Sequence, residues 1–170
     1  GLFSIVMLFA GLTSAYIVSK GYMGSQWQLV PLPQTFLYST IIIFLSSITL
    51  FLSNKNLKND NSERCKQYLL LTIILGVLFF VTQYLGWKSL VNDGYFFVGS
   101  SNASSYIYVF SGLHLAHLIF GLFFLIQSYI KMTVKYFSME INLIFKIKNW
   151  FWHFLGFLWI YLYCFLAILN

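Results

Sequence analysis

The sequence has 170 residues, of which 59% are hydrophobic, 21% aromatic and 8% charged. Soluble globular domains contain about 25% charged residues, so this composition excludes a soluble globular protein and predicts one that lies in a lipid bilayer. A formal net charge of +6 could suggest nucleic-acid binding in a soluble protein. Here the basic residues cluster between apolar segments, which indicates membrane topology and no nucleic-acid partner.

Five apolar segments follow one another along the chain, each close to the roughly 20 residues that a helix needs to cross a bilayer. Their apolar residues run continuously and do not alternate, which predicts helices rather than the strands of a barrel. The predicted helices are Leu2–Ser19, Phe36–Ser53, Gln67–Leu90, Ser105–Tyr129 and Trp150–Leu169. We therefore predict an all-α polytopic membrane protein, a bundle of five transmembrane helices forming a single domain over residues 1–170.

The ten Lys and Arg residues are divided unevenly among the four connecting segments: one, four, one and four. The second and fourth segments hold Lys55, Lys58, Arg64, Lys66, Lys131, Lys135, Lys146 and Lys148. Loops rich in Lys and Arg stay on the cytoplasmic side. We therefore expect a protein of the bacterial inner membrane with a cytoplasmic N-terminus and with Asn170 outside.

All four acidic residues, Asp60, Glu63, Asp93 and Glu140, fall in the predicted connecting segments. Pumps and transporters commonly mark an ion path with intramembrane carboxylates. The sequence therefore indicates a chain that does not itself relay protons, and it suggests no catalytic, cofactor-binding or metal-binding residue. Cys65, in the second connecting segment, is interpreted as a surface thiol.

Three histidines, His114, His117 and His153, lie in the fourth and fifth predicted helices, where an ionisable side chain is a functional candidate. His114 and His117 are three residues apart and share one helix face. A haem held between His117 and His153, which could lie at similar depths, is one alternative; a zinc or copper ion is another. The favoured interpretation is that the histidines are hydrogen-bonded between helices and fix their packing.

Small and polar residues accompany these histidines. Gly112 and Ala116 form a small-xxx-small pair, Gly121 follows them, and Gln83 can hydrogen-bond to a neighbouring helix. Such residues let helices approach closely in lipid. They predict a tightly packed bundle, and they also suit docking against a larger membrane partner.

Aromatic and basic residues mark the predicted cytoplasmic ends of the last two helices. Trp150 and Trp152 fit an aromatic belt at the membrane interface. Lys131 could reach a lipid phosphate, or it could serve only as a residue retained on the cytoplasmic side.

Four segments carry a family resemblance in their order and spacing. Phe110–Gly121 reads FSGLHLAHLIFG, with the pattern G-x-H-x-x-H-x-x-x-G, and Trp150–Tyr163 reads WFWHFLGFLWIYLY. Together with Leu71–Gln83 and Ser39–Thr49, these segments resemble subunit III of the haem–copper oxidases (cytochrome c oxidase subunit III) in its short five-helix bacterial form. The family often has a Glu where Met7 stands here and an Asp where Gly156 stands, so no role of those acids carries over.

The resemblance implies a subunit without haem or copper of its own, in an oxidase that reduces dioxygen. It would pack against subunit I, bind phospholipid and sustain proton uptake; haem and copper would reside in partner subunits. Subunit II and a larger respiratory supercomplex are further expected partners. Residues expected to contact lipid, subunits or neighbouring helices are His114, His117, Trp150, Trp152, His153, Lys131, Gly112, Gly121 and Gln83.

Two other functions remain open. The chain could be a subunit-III relative that serves a quinol oxidase or a nitric oxide reductase. It could also be a free-standing membrane protein that binds haem b through two histidines.

Overall fold

The computed structural model describes residues 2–59, 61–99, 101–134 and 139–169, with side chains at all of these positions except 134 and 139–144. The five helices are α1 (Leu2–Met23), α2 (Gln34–Lys58), α3 (Ser62–Asn92), α4 (Asn102–Val134) and α5 (Met139–Leu169). All five contain a stretch long and apolar enough to cross a membrane. The prediction of an all-α, five-helix membrane protein is confirmed.

The helices extend further than the apolar pattern predicted. The fourth begins at Asn102 rather than at Ser105, and the fifth begins at Met139 rather than at Trp150. Hydrophobicity marks only the part of a helix that crosses hydrocarbon, whereas the hydrogen-bonded backbone continues into polar residues on either side. The expectation that all acids lie in connecting segments is wrong for Glu63, in the first turn of α3, and for Glu140, which lies within α5. Asp60 lies outside the described residues.

Helices α2 to α5 pack as a four-helix bundle in which each helix is antiparallel to its two neighbours. Helix α2 lies between α3 and α5, and α4 lies between the same two helices. Contacts fix the registers: Trp152 on α5 reaches Ser46 on α2, and Trp87 on α3 reaches Ser111 on α4. Helix α2 ends at Lys58 and α3 begins at Ser62, and so short a connection is typical of antiparallel neighbours.

A row of buried serines on α2 sets its register against two helices. Ser39, Ser46 and Ser53 recur every seven residues and are fully buried. Ser39 donates to Thr82 Oγ1 over 2.9 Å, and Ser53 donates to the Cys65 carbonyl oxygen over 2.9 Å. Small hydroxyl side chains suit such interfaces because they admit close backbones while supplying hydrogen bonds. Cys65 is therefore buried within α3, and its interpretation as a surface thiol is wrong.

Helix α1 lies outside this bundle, against α4 and the C-terminal end of α5. Its main anchor is Tyr16, a fully buried ring in edge or tilted contact with four other rings. Those rings belong to Trp27, Tyr106, Phe110 and Phe165, with centroids between 5.1 and 6.3 Å away. Ser19 hydrogen-bonds to the Tyr106 hydroxyl, and Lys20 donates to the carbonyl oxygen of Leu169.

The buried apolar side chains form two clusters, one at each end of the bundle. The loop-side cluster surrounds the α1–α2 connection and includes Phe36, Leu90, Phe110 and Leu162. The hairpin-side cluster extends from the C-terminal end of α2 and the N-terminal end of α3 toward the middle of the bundle, and it includes Ile43, Phe79, Leu118, Trp152 and Trp159.

Candidate functional site

A layer of buried polar side chains lies between the two apolar clusters along α2, α3 and α4. Ser39, Gln83, Ser111 and His114 form this polar layer, and each is at most 1% exposed. On α3, Gln83 stands between Phe79 of the hairpin-side cluster and Leu90 of the loop-side cluster. The sequence-predicted candidates Gln83 and His114 are therefore brought to the same level of the bundle.

His114 is enclosed by aromatic rings. Its ring centroid lies 5.0 Å from that of Trp159 on α5, at an interplanar angle of 32°, and 6.1 Å from that of Phe79 on α3. Trp159 is itself fixed, because its indole N–H donates to Thr40 Oγ1 over 3.1 Å. His114 thus joins three helices by ring packing, which supports a packing role through contacts other than the expected hydrogen bonds.

The expected interhelical hydrogen bonds of the histidines are wrong where the structure describes them. His117 Nδ1 lies 2.7 Å from the carbonyl oxygen of Leu113, one turn earlier on its own helix. Neither ring nitrogen of His114 has a hydrogen-bond partner among the described residues. The His117 ring instead packs against Phe9 of α1, with centroids 5.9 Å apart. Sequence spacing identified the shared face but not which neighbours it would meet.

The two tryptophans that open the predicted fifth helix have different environments. Trp150 is 75% exposed, as an aromatic belt would require. Trp152 is fully buried, and its indole N–H donates to Ser46 Oγ over 2.9 Å. The interpretation of Trp152 as a belt residue is wrong because it lies two positions along the helix from Trp150 and so faces the bundle interior.

Two candidate glycines differ in the space around them. A Cβ atom at Gly121 would lie 3.1 Å from Leu155 Cδ1 and 3.2 Å from Trp152 Cε3, so this glycine permits the close packing of α4 and α5. A Cβ atom at Gly112 would meet nothing within 4 Å. The predicted tight packing therefore holds for Gly121 and is wrong for Gly112 within this chain.

The basic candidate lies at the end of α4. Lys131 is exposed in the last turn of that helix. Lys148 on α5 donates to Gln127 Oε1 over 2.6 Å, and its Nζ lies 5.6 Å from the centroid of the Phe124 ring. Lys131 lies four residues after Gln127 on α4, so it shares a helix face with the residue that Lys148 contacts. Two cations in this arrangement favour an anionic group between them.

The site candidates do not converge on one centre. His114 and Gln83 lie in the polar layer, His117 faces α1, and half-buried His153 lies on α5. Within the described residues, no three side chains of His, Cys, Asp or Glu are grouped as a metal site requires. Phe79 and Tyr16, which hold the helices together, were not singled out from the sequence. Ser46 was expected to hydrogen-bond across helices, and it accepts a hydrogen bond from Trp152 on α5.

The sequence matches the family model described as "Cytochrome c oxidase subunit III" over residues 2–169. It is 30% identical over 127 residues to cytochrome c oxidase subunit 3 of Paracentrotus lividus, covering 75% of this chain and 47% of the relative. It is 32% identical to the probable cytochrome c oxidase subunit 3 of Rickettsia prowazekii, and the match covers 78% of this chain and 47% of that relative. It is 29% identical to cytochrome c oxidase subunit 3 of Loxodonta africana, and the match covers 94% of this chain and 63% of that relative. The chain spans about half to two thirds of the length of these relatives.

Proposed function

Because the chain belongs to the cytochrome c oxidase subunit III family, we propose that it serves as the non-redox subunit III of a haem–copper terminal oxidase. It packs against subunit I beside subunit II, sustains proton uptake during aerobic electron transport and carries no redox cofactor of its own. The observation that carries the proposal is a family match extending over all five helices. The protein lies in the bacterial inner membrane with a cytoplasmic N-terminus, an orientation supported by the distribution of its Lys and Arg residues.

Purification of the tagged chain in mild detergent tests this proposal. We expect subunits I and II to copurify and to contain all of the haem and copper. Copurification with the large subunit of a quinol oxidase or a nitric oxide reductase would show that the chain serves that enzyme instead of a cytochrome c oxidase. A reduced-minus-oxidised haem band that stays with the chain after its partners are removed would support the haem b alternative and contradict the proposal.

We propose that Gly112 contributes to a contact with another oxidase subunit. Its lack of a side chain is not used inside this chain, whereas Gly121 on the same helix is packed against α5. Small residues at an outer helix surface allow a second protein to approach closely in lipid. Gly112→Leu should reduce the amount of copurifying subunit I while the chain's own melting temperature is retained.

Gly112→Ala provides a graded control, because one methyl group should reduce copurification less than the leucine side chain does. A Gly112→Leu protein that retains its full complement of subunits would rule out this contact.

We propose that Lys131 and Lys148 bind the phosphate of a phospholipid at the cytoplasmic end of α4 and α5. The position of Lys131 one turn from Gln127, which accepts a hydrogen bond from Lys148, supports this role, as does the attraction of basic residues to anionic lipid. Lys131→Ala should lower the phospholipid retained after purification. Lys66→Ala is a matched control, because Lys66 is already paired with Glu63 at 3.1 Å. Equal lipid content in both variants would contradict the assignment.

A further inference from the structure

Gln83 and His114 stand out among the buried polar side chains of the bundle. Both are 0% exposed. The amide oxygen and nitrogen of Gln83 have no hydrogen-bond partner among the described residues, and the same is true of both ring nitrogens of His114. Their neighbours in the polar layer differ: Ser39 donates to Thr82, and Ser111 accepts from Trp87. The layer therefore contains two satisfied members and two that still require partners.

The register of α3 against α4 places these two side chains opposite each other. Phe79 contacts the His114 ring, and Trp87 donates to Ser111 Oγ over 2.9 Å. Gln83 lies four residues after Phe79 and four before Trp87, so it occupies the same face of α3, midway between those contacts. His114 lies three residues after Ser111 on the facing side of α4.

Unpaired polar atoms at this position are costly. Buried polar groups in proteins almost always have a hydrogen-bond partner, either protein or ordered water. Within a membrane span, lipid tails supply no substitute. The surrounding walls are aromatic rings and aliphatic side chains of the two apolar clusters, so a partner for these atoms must lie inside the bundle.

We propose that Gln83 and His114 bind a water molecule between α3 and α4, within the polar layer. An uncharged imidazole has one donor and one acceptor nitrogen, and a glutamine amide has both functions as well. Water, which both donates and accepts, can bond to both side chains at once. Buried waters typically make two to four such hydrogen bonds.

The donor set favours water over a metal ion. Protein metal sites use three or four His, Cys or carboxylate ligands, whereas the second side chain here is an amide. Trp159 and Phe79 close the site around the imidazole, and Trp87 is held against Ser111 on the side of the loop-side cluster. The water would be enclosed by protein, out of contact with lipid.

A high-resolution structure of the intact protein in its native assembly tests the proposal directly. We expect a density peak within hydrogen-bond distance of both an imidazole nitrogen of His114 and the amide of Gln83. In Gln83→Met, which keeps the side-chain length but removes its polar atoms, the peak should disappear. A direct hydrogen bond between Gln83 and His114 with no peak between them would overturn the proposal.

A thermal-stability cycle tests whether the two side chains share one ligand. Gln83→Met and His114→Phe should each lower the melting temperature, and the double variant should lose much less than the sum of the two shifts. Gln67→Met, at an exposed position of the same helix, is the control and should leave the melting temperature unchanged. Additive shifts would overturn the proposal. If the variants fail to accumulate, infrared spectra of the wild-type protein in isotopically labelled water supply the test. We expect an O–H stretching band from the enclosed water. Absence of that band would contradict the proposed site.

Discussion

Helix α1 and the α2–α5 bundle are held together by different kinds of contact. In the bundle, glycines and hydroxyl side chains allow backbones to approach, as where Gly86 on α3 lies against Phe36 on α2. Helix α1 is attached by large side chains, chiefly the Tyr16 ring, while its own Gly11 has nothing within 4 Å of a Cβ position. The difference implies that added bulk should damage the bundle and spare α1, whereas removal of a ring should release α1 and spare the bundle.

The largest effect is expected from Gly86→Leu. A Cβ atom at this position would lie 2.4 Å from Phe36 Cε1 and 3.0 Å from Thr35 Oγ1, so the buried Phe36 ring must move or the two helices must separate to admit a side chain. Overpacking usually costs about 1–3 kcal/mol, and the full leucine side chain should reach or exceed the upper end of that range. Thermal denaturation in detergent measures the loss.

Gly11→Leu is the matched control for Gly86→Leu. Its side chain would enter open space at the outer surface of α1, so the melting temperature should stay within error of the wild-type value. If the two variants were equally destabilised, the distinction between the two regions would fail.

Tyr16→Ala should release α1 while leaving the bundle folded. Truncation of a buried aromatic ring costs about 3–5 kcal/mol, and here the loss falls on the contacts between α1 and its neighbours. Hydrogen–deuterium exchange should therefore accelerate in α1 and remain slow in the centre of α3. Tyr22→Ala, at a residue that is 93% exposed, should change neither. Faster exchange throughout the chain would show that α1 is not a separable part.

Trp152→Phe should have a smaller effect, confined to the bundle. The substitution removes the hydrogen bond to Ser46 and leaves a gap beside Gly76, whose Cβ position is 2.9 Å from Trp152 Cη2. A lost hydrogen bond with a partly filled cavity should cost about 1–3 kcal/mol. Thermal denaturation measures it, with exposed Trp150→Phe as the control. An equal effect of the two substitutions would contradict the interior role of Trp152.

The sequence predicted the features that depend on composition and missed those that depend on register. Continuous apolar segments were sufficient for the five helices, because the bilayer fixes their length and type. The signature containing His114 and His117 indicated where packing matters. Nothing in the local pattern indicated that His117 would meet Phe9 or that Gly112 would lie in open space, because both depend on how α1 and α4 are placed in three dimensions.

The smallest expected effects compare one hydrogen bond from each region. The hydroxyls of Thr49 and Thr72 lie 2.9 Å apart between α2 and α3, and those of Ser19 and Tyr106 lie 2.8 Å apart between α1 and α4. Hydrogen bonds between membrane helices contribute about 0.6 kcal/mol on average. Double-mutant cycles on thermal stability, with Thr49→Val and Thr72→Val in one and Ser19→Ala and Tyr106→Phe in the other, give each coupling energy.

The Thr49–Thr72 coupling should be the larger of the two. Thr72 is fully buried within the bundle, so an unpaired hydroxyl there has no access to water. Ser19 lies near the end of α1, where water can replace its partner and reduce the cost of the lost bond. Equal coupling energies would mean that α1 is as well shielded as the bundle. The contrast between the two regions would then rest on shape alone, and no longer on access to water.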